Sequence, residues 1–81
     1  MEPKVKFFYS EGCDKCESLK PIINEFSKAL KIESINTDED TILTENYDVE
    51  WVPSLVVENE LGKIKFEGVD DIRDFLRKLT S

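Results

Sequence analysis

The apolar residues change period at Gly12. Before it, "KVKFFYS" (4–10) is short and rich in aromatic and β-branched types, the pattern of a buried strand. After it, Cys16, Leu19, Ile22, Ile23, Phe26 and Leu30 recur at helical spacing, so a helix is expected over about 13–30. Pro21 falls inside that helix and should bend it, because it removes one backbone hydrogen bond. "KIESIN" (31–36) alternates and reads as a second strand. A strand, a crossing helix and a second strand favour two parallel strands joined by a right-handed connection.

The rest of the chain narrows the architecture. "TDEDTILTENYDV" is acidic, and a Thr or Asp cap predicts a short helix near 40–46. "PSLVVE" (53–58) is a third strand, and "NELG" supplies a hairpin turn into a fourth, "KIKFEG" (63–68). Asp70 or Asp71 is expected to cap a last helix whose Ile72, Phe75, Leu76 and Leu79 hold i, i+3, i+4, i+7 spacing. The order β-α-β-α-β-β-α implies an α/β fold with a four-stranded mixed sheet flanked by helices. With 81 residues there is room for one domain, 1–81, and one modest core.

Charge removes several classes of function. Eighteen acidic against eleven basic residues give a net charge of −7, which disfavours nucleic-acid backbones and anionic membranes. No run of 18 apolar residues occurs, and "MEPKVKFFYSEG" lacks the layout of a signal peptide. The expected address is the cytoplasm, where thiols are kept reduced.

Both cysteines of the chain lie in "YSEGCDKCESLKPII" (9–23), where strand gives way to helix. At i and i+3 in a first helical turn, Cys13 and Cys16 share a face and can form a disulfide with little backbone movement. Cys13 would sit at the helix N-terminus, where free N–H groups and the dipole stabilise a thiolate. Cys16, one turn deeper on the apolar stripe, should be less exposed. Three readings of the pair compete. A redox couple fits best, with an attacking and a resolving sulfur in unlike surroundings. A metal site wants about four ligands, and a chain with two cysteines and no histidine needs a dimer to supply them. Two incidental core cysteines are the third.

With these residues in place, the chain resembles the thioredoxin/glutaredoxin superfamily from about residue 4 to residue 80. "GCDKC" follows the first strand, Pro21 stands five residues beyond the second cysteine, and "YDVEWVPSLVV" (47–57) matches the family segment around a cis-proline. The length is similar to glutaredoxins and small archaeal thioredoxin-like proteins. "EGVDD" is similar to the motif with which glutaredoxins hold glutathione, although Glu67 replaces one of the paired glycines. The resemblance implies a thiol–disulfide oxidoreductase working through Cys13 and Cys16 on protein or small-molecule disulfides. It implies a cis Val52–Pro53 bond, a free Val52 backbone for an extended substrate, and Trp51 and Gly68 as walls of the substrate groove. No prosthetic group is implied. Electrons would come from a thioredoxin-reductase-type protein or from glutathione, and a monomer is expected. The rival reading is a non-enzymatic thioredoxin-fold binding module, or a dimeric thiolate carrier of metal or a cluster.

Departures from the family pattern bear on proton handling. The buried aspartate six residues before the first cysteine is Phe7 here, and its companion lysine corresponds to Ser34. That pocket is therefore expected to be apolar. Gly12 replaces the usual tryptophan, and Asp14 and Lys15 separate the cysteines with opposing charges worth little each. These four residues, Phe7, Gly12, Asp14 and Lys15, are the candidates for tuning the pair.

Overall fold

The computed structural model describes residues 4–80, so the expected domain bounds at 1 and 81 lie outside the described residues. Among the described residues the elements follow the expected order: β1 (Lys4–Tyr9), α1 (Asp14–Phe26), β2 (Ile32–Asn36), α2 (Thr41–Asn46), β3 (Ser54–Asn59), β4 (Gly62–Glu67) and α3 (Val69–Thr80). The strands form one mixed sheet in the order β2-β1-β3-β4. β1 and β2 are parallel, because α1 carries the chain back across the sheet between them. β3 runs antiparallel to β1, and a tight hairpin returns β4 antiparallel to β3. No helix among the described residues is long and apolar enough to cross a membrane.

The core lies on both faces of β1. Successive strand residues point to opposite faces. Val5 and Phe7 join Leu19 and Ile23 of α1, Leu55 of β3, and Ile72 and Leu76 of α3. Phe8 turns the other way, into a smaller cluster with Ile35 and Val56, against which Leu43, Tyr47 and Val49 pack. Helices α1 and α3 thus cover one face, and α2 with the segment after it covers part of the other. The last helix gains further contact where Phe75 stacks on Phe66 of β4, with ring centroids 4.4 Å apart.

Several expected boundaries move, each for a local reason. α1 ends at Phe26 rather than near 30: Ser27 caps it, its hydroxyl on the Ile23 carbonyl at 2.7 Å, and beyond it Lys28 and Ala29 N–H reach back only three residues, to Glu25 and Phe26. Residues 27–30 then turn toward β2, and Leu30 N–H bonds the Phe26 carbonyl at 2.7 Å. β1 stops at Tyr9, and β3 starts at Ser54, one residue after the proline that cannot donate to a ladder. The hairpin turns on Glu60 and Leu61, with the Asn59 side chain accepting from Leu61 N–H at 2.8 Å. α3 begins at Val69, and the Gly68 carbonyl accepts its first bond from Ile72 at 3.2 Å. Neither Asp70 nor Asp71 caps it; both lie inside the first turn, where their charge suits the helix dipole. Leu79, expected in the buried stripe, is half exposed where α3 runs past the sheet.

Burial predicts a sharp contrast on neighbouring strands. Leu55 is fully buried on β3, whereas Ile64 on edge strand β4 is 60% exposed. Leu55→Ala should cost about 3 kcal/mol of unfolding free energy in urea, and Ile64→Ala less than about 0.5 kcal/mol.

Candidate active site

The two cysteines stand where β1 hands over to α1. Gly12 makes the corner with φ +73°, a left-handed conformation that L side chains rarely adopt. The position that carries tryptophan in the resembled family therefore takes glycine here for a backbone reason. A Cβ at Gly12 would meet nothing within 4 Å. Cys13 follows as the N-cap of α1, in extended conformation. Its carbonyl accepts from Glu17 N–H at 3.0 Å, and its Sγ accepts from Cys16 N–H at 3.1 Å. The sulfur occupies the position that a serine or aspartate oxygen takes in ordinary caps. Cys13 is half-buried, and Cys16, one turn on, is 0% exposed.

This difference in burial separates the thiols chemically. Burial pushes the Cys16 thiol up to about 11, because an apolar surrounding disfavours its charged form. Its hydrogen bond with Cys13 raises it further, the Ser10 backbone opposes the shift, and the charges of Cys13 and Glu17 add to it.

The loop before β3 reaches the same end of the sheet. Ser54 pairs with Phe8 near the close of β1, so residues 51–53 lie beyond the strand ends, on the side from which the cysteine segment leaves. The Val52–Pro53 bond is cis, and Pro53 is fully buried. Trp51 is 67% exposed and stands outside the core. The Ser54 hydroxyl donates to the Trp51 carbonyl at 2.5 Å, and the Pro53 carbonyl accepts from Gly68 N–H at 3.0 Å. Among the described residues, no hydrogen bond between loop backbone groups engages Val52. A groove of about 480 Å³ beside Gly68 is lined by Lys15, Glu67, Val69, Asp70 and Asp71, so the starts of α1 and α3 form its two banks. Asp14 is exposed on the first turn of α1.

Phe7 stands apart from this cluster. It is buried beneath α1 and lines a cavity of about 160 Å³ with Tyr9, Lys20, Ile23, Asn24 and Ser34. Cys16 is not among the residues that line this cavity. Phe7 supplies an apolar wall, but Ser34 is exposed on outer strand β2, and Lys20 and Asn24 of α1 make the remainder polar. Lys20 is held over the Tyr9 ring at 5.2 Å and paired with Glu17 at 2.8 Å. That ion pair raises the lysine's proton affinity. Sequence reasoning also passed over Ser54 and Lys65, which hold the proline loop. A serine in a strand and a lysine on an edge strand carry no signal that separates them from ordinary surface residues.

The comparisons with known proteins agree with this geometry. The family model described as thioredoxin matches residues 2–81. A thioredoxin from Rickettsia felis is 29% identical over 84 residues, covering 94% of this chain and 80% of the relative. The chloroplastic thioredoxin Y2 of Arabidopsis thaliana is 32% identical over 73 residues, covering 83% of this chain and 43% of that protein. Among solved structures, oxidized mitochondrial thioredoxin 3 of Saccharomyces cerevisiae superposes with a TM-score of 0.80 at 18% identity, covering 95% of this chain and 78% of the other. The chain belongs to the thioredoxin family and is a thiol–disulfide oxidoreductase.

Proposed function

We propose that Cys13 and Cys16 form the dithiol/disulfide couple of this enzyme, with Cys13 attacking and Cys16 resolving. The observation that supports it is the contrast between a half-buried sulfur capping a helix and a fully buried one behind it. In the forward reaction the Cys13 thiolate attacks one sulfur of a substrate disulfide. That S–S bond breaks, a mixed disulfide forms, and one substrate thiolate leaves. Cys16 then gives up its proton and attacks Cys13 Sγ. The second substrate thiolate departs, and the Cys13–Cys16 disulfide holds the two electrons' worth of oxidation. No prosthetic group takes part.

Thioredoxins reduce disulfides with electrons from reductase partners. For this chain the substrates are disulfide-bearing polypeptides that lie across Trp51 and pair with the Val52 backbone, with Pro53 beneath and Gly68 at the far wall. A reductase protein is a better donor than glutathione here. The three carboxylates of Glu67, Asp70 and Asp71 rim the groove where glutathione's own carboxylates would dock, against the single ammonium of Lys15. The protein acts as a monomer in the reducing cytoplasm. Phe7 stands where the resembled family carries a buried carboxylate, so the resolving proton goes to water or to a nearby surface carboxylate. Gly12 fixes the corner, and Asp14 and Lys15 adjust the field at Cys13.

Two measurements check the assignment. Cys13→Ser should abolish reduction of insulin disulfides, whereas Cys16→Ser should still attack and accumulate mixed disulfides visible by mass spectrometry. Faster alkylation of Cys16 than of Cys13 in the reduced wild-type protein would reverse the roles.

The raised Cys16 thiol gives a pH dependence of definite sign. Its alkylation should climb about tenfold per pH unit and level off near pH 11, since only the thiolate reacts. Folding holds the proton more tightly than the ordinary value of 9.0, so the thiol's contribution to stability is full below pH 9 and is lost as pH rises toward 11. Urea midpoints of the reduced protein should fall over that range, and by less in Cys16→Ala.

A further inference from the structure

The loop that presents Trp51 and Val52 leaves the C-terminal end of α2, which is closed by its own backbone and by Tyr47 and Val49 against the smaller core cluster. The helix is six residues long, with no buried residue and no basic residue in its last turn. Tyr47 is its C-cap, and Asp48 follows with φ +53°, a left-handed turn by a residue other than glycine. Carbonyl groups at a helix C-terminus carry partial negative charge, and those of Leu43, Thr44 and Glu45 accept from the backbone N–H groups of Tyr47, Val49 and Asp48 at 3.1, 3.0 and 3.1 Å.

A further tie, to the residue after the cap, comes from the edge strand. Lys65 Nζ donates to the Asp48 carbonyl, and Lys63 Nζ lies 5.0 Å from the centre of the Tyr47 ring. Two residues apart on β4, these lysines share one face of the sheet, the face that α2 covers. The Tyr47 hydroxyl donates to Glu58 of β3 at 3.1 Å, and Lys6 of β1 lies 5.7 Å from the same ring. The loop is thus tied at Asp48 by Lys65, at Trp51 by Ser54 and at Pro53 by Gly68. Asp48 and Val49 N–H also bond the Glu45 and Thr44 carbonyls, and among all these ties only the one from Lys65 depends on a long, exposed side chain.

We propose that Lys65, assisted by Lys63, is a positioning residue for substrate: it fixes the start of the 48–53 loop and so the placement of Trp51 and Val52 in the groove. The inference rests on the reading that this loop contacts the substrate. Lys65 touches no reacting atom, so its effect belongs to polypeptide binding and not to sulfur chemistry.

Two disulfides and one fluorophore separate the possibilities. Insulin spans the loop, whereas hydroxyethyl disulfide is too small to use it, and Trp51 is the only tryptophan of the chain. In Lys65→Met the KM for insulin should rise about fivefold, the size of one modest hydrogen bond, with kcat held. Trp51 anisotropy should fall. Lys65→Arg should restore both. Lys31→Met removes the same charge at the start of β2, the end of the sheet away from Cys13, and should leave the insulin KM where it was. Hydroxyethyl disulfide should be reduced at the wild-type rate throughout. An unchanged insulin KM in the Lys63→Met/Lys65→Met double variant overturns the proposal. Equal losses on both disulfides overturn it too, because a general structural defect produces them. A wild-type protein inactive on hydroxyethyl disulfide would instead overturn the cysteine assignment, and this inference with it.

Discussion

β1 is paired along both edges and buried on both faces, and the other elements take their places from it. Its parallel partner β2 and antiparallel partner β3 fix the plane of the sheet. Phe7 and Phe8, adjacent in sequence, anchor the two opposite layers of core. A slip of one residue in this strand would exchange those layers and expose both clusters, so the register is strongly specified. The same register sets the site. With Phe8 opposite Ser54, the segment leaving β1 and the segment entering β3 emerge at one end of the sheet, where the cysteines and the proline loop are needed.

The fold was legible because its elements differ in period. The switch from "KVKFFYS" to the Cys16–Leu19–Ile23 stripe marks a strand-to-helix junction whatever the side-chain details. Helix ends were less legible. The apolar pattern runs on through Leu30, yet α1 ends at Phe26, where the N–H groups of Lys28 and Ala29 turn to carbonyls only three residues back. At α3 the aspartates offered a cap, yet the glycine before them accepts the first bond because the chain leaves β4 in a left-handed turn, φ +90° at Gly68. Propensity orders residues by preference. The backbone path coming from the neighbouring strand decides among them.

At the site, residue type and spacing identified the pair and its unequal exposure, since a cap position and a stripe position differ in any amphipathic helix. The surroundings of Phe7 were not readable in the same way. Lys20 and Asn24 of α1 share a cavity with Phe7 of β1 and the exposed Ser34 of β2, a grouping that only the packing of helix on sheet produces. The ties that hold the proline loop join residues 17 positions apart, as in Lys65 and Asp48, and such contacts leave no local pattern.

The burial of Cys16 has a consequence beyond turnover. A peroxide reaching this site meets Cys13 first, because the other sulfur offers it no surface. Oxidation of Cys13 to the sulfenic acid places that group one helical turn from a protected thiol. Condensation of the two expels water and yields a Cys13–Cys16 disulfide. Further oxidation to sulfinic or sulfonic acid, which is not readily reversed, is thereby pre-empted. Burial of Cys16 thus keeps one thiol in reserve, and a disulfide, unlike the higher acids, is open to the next thiol reductant.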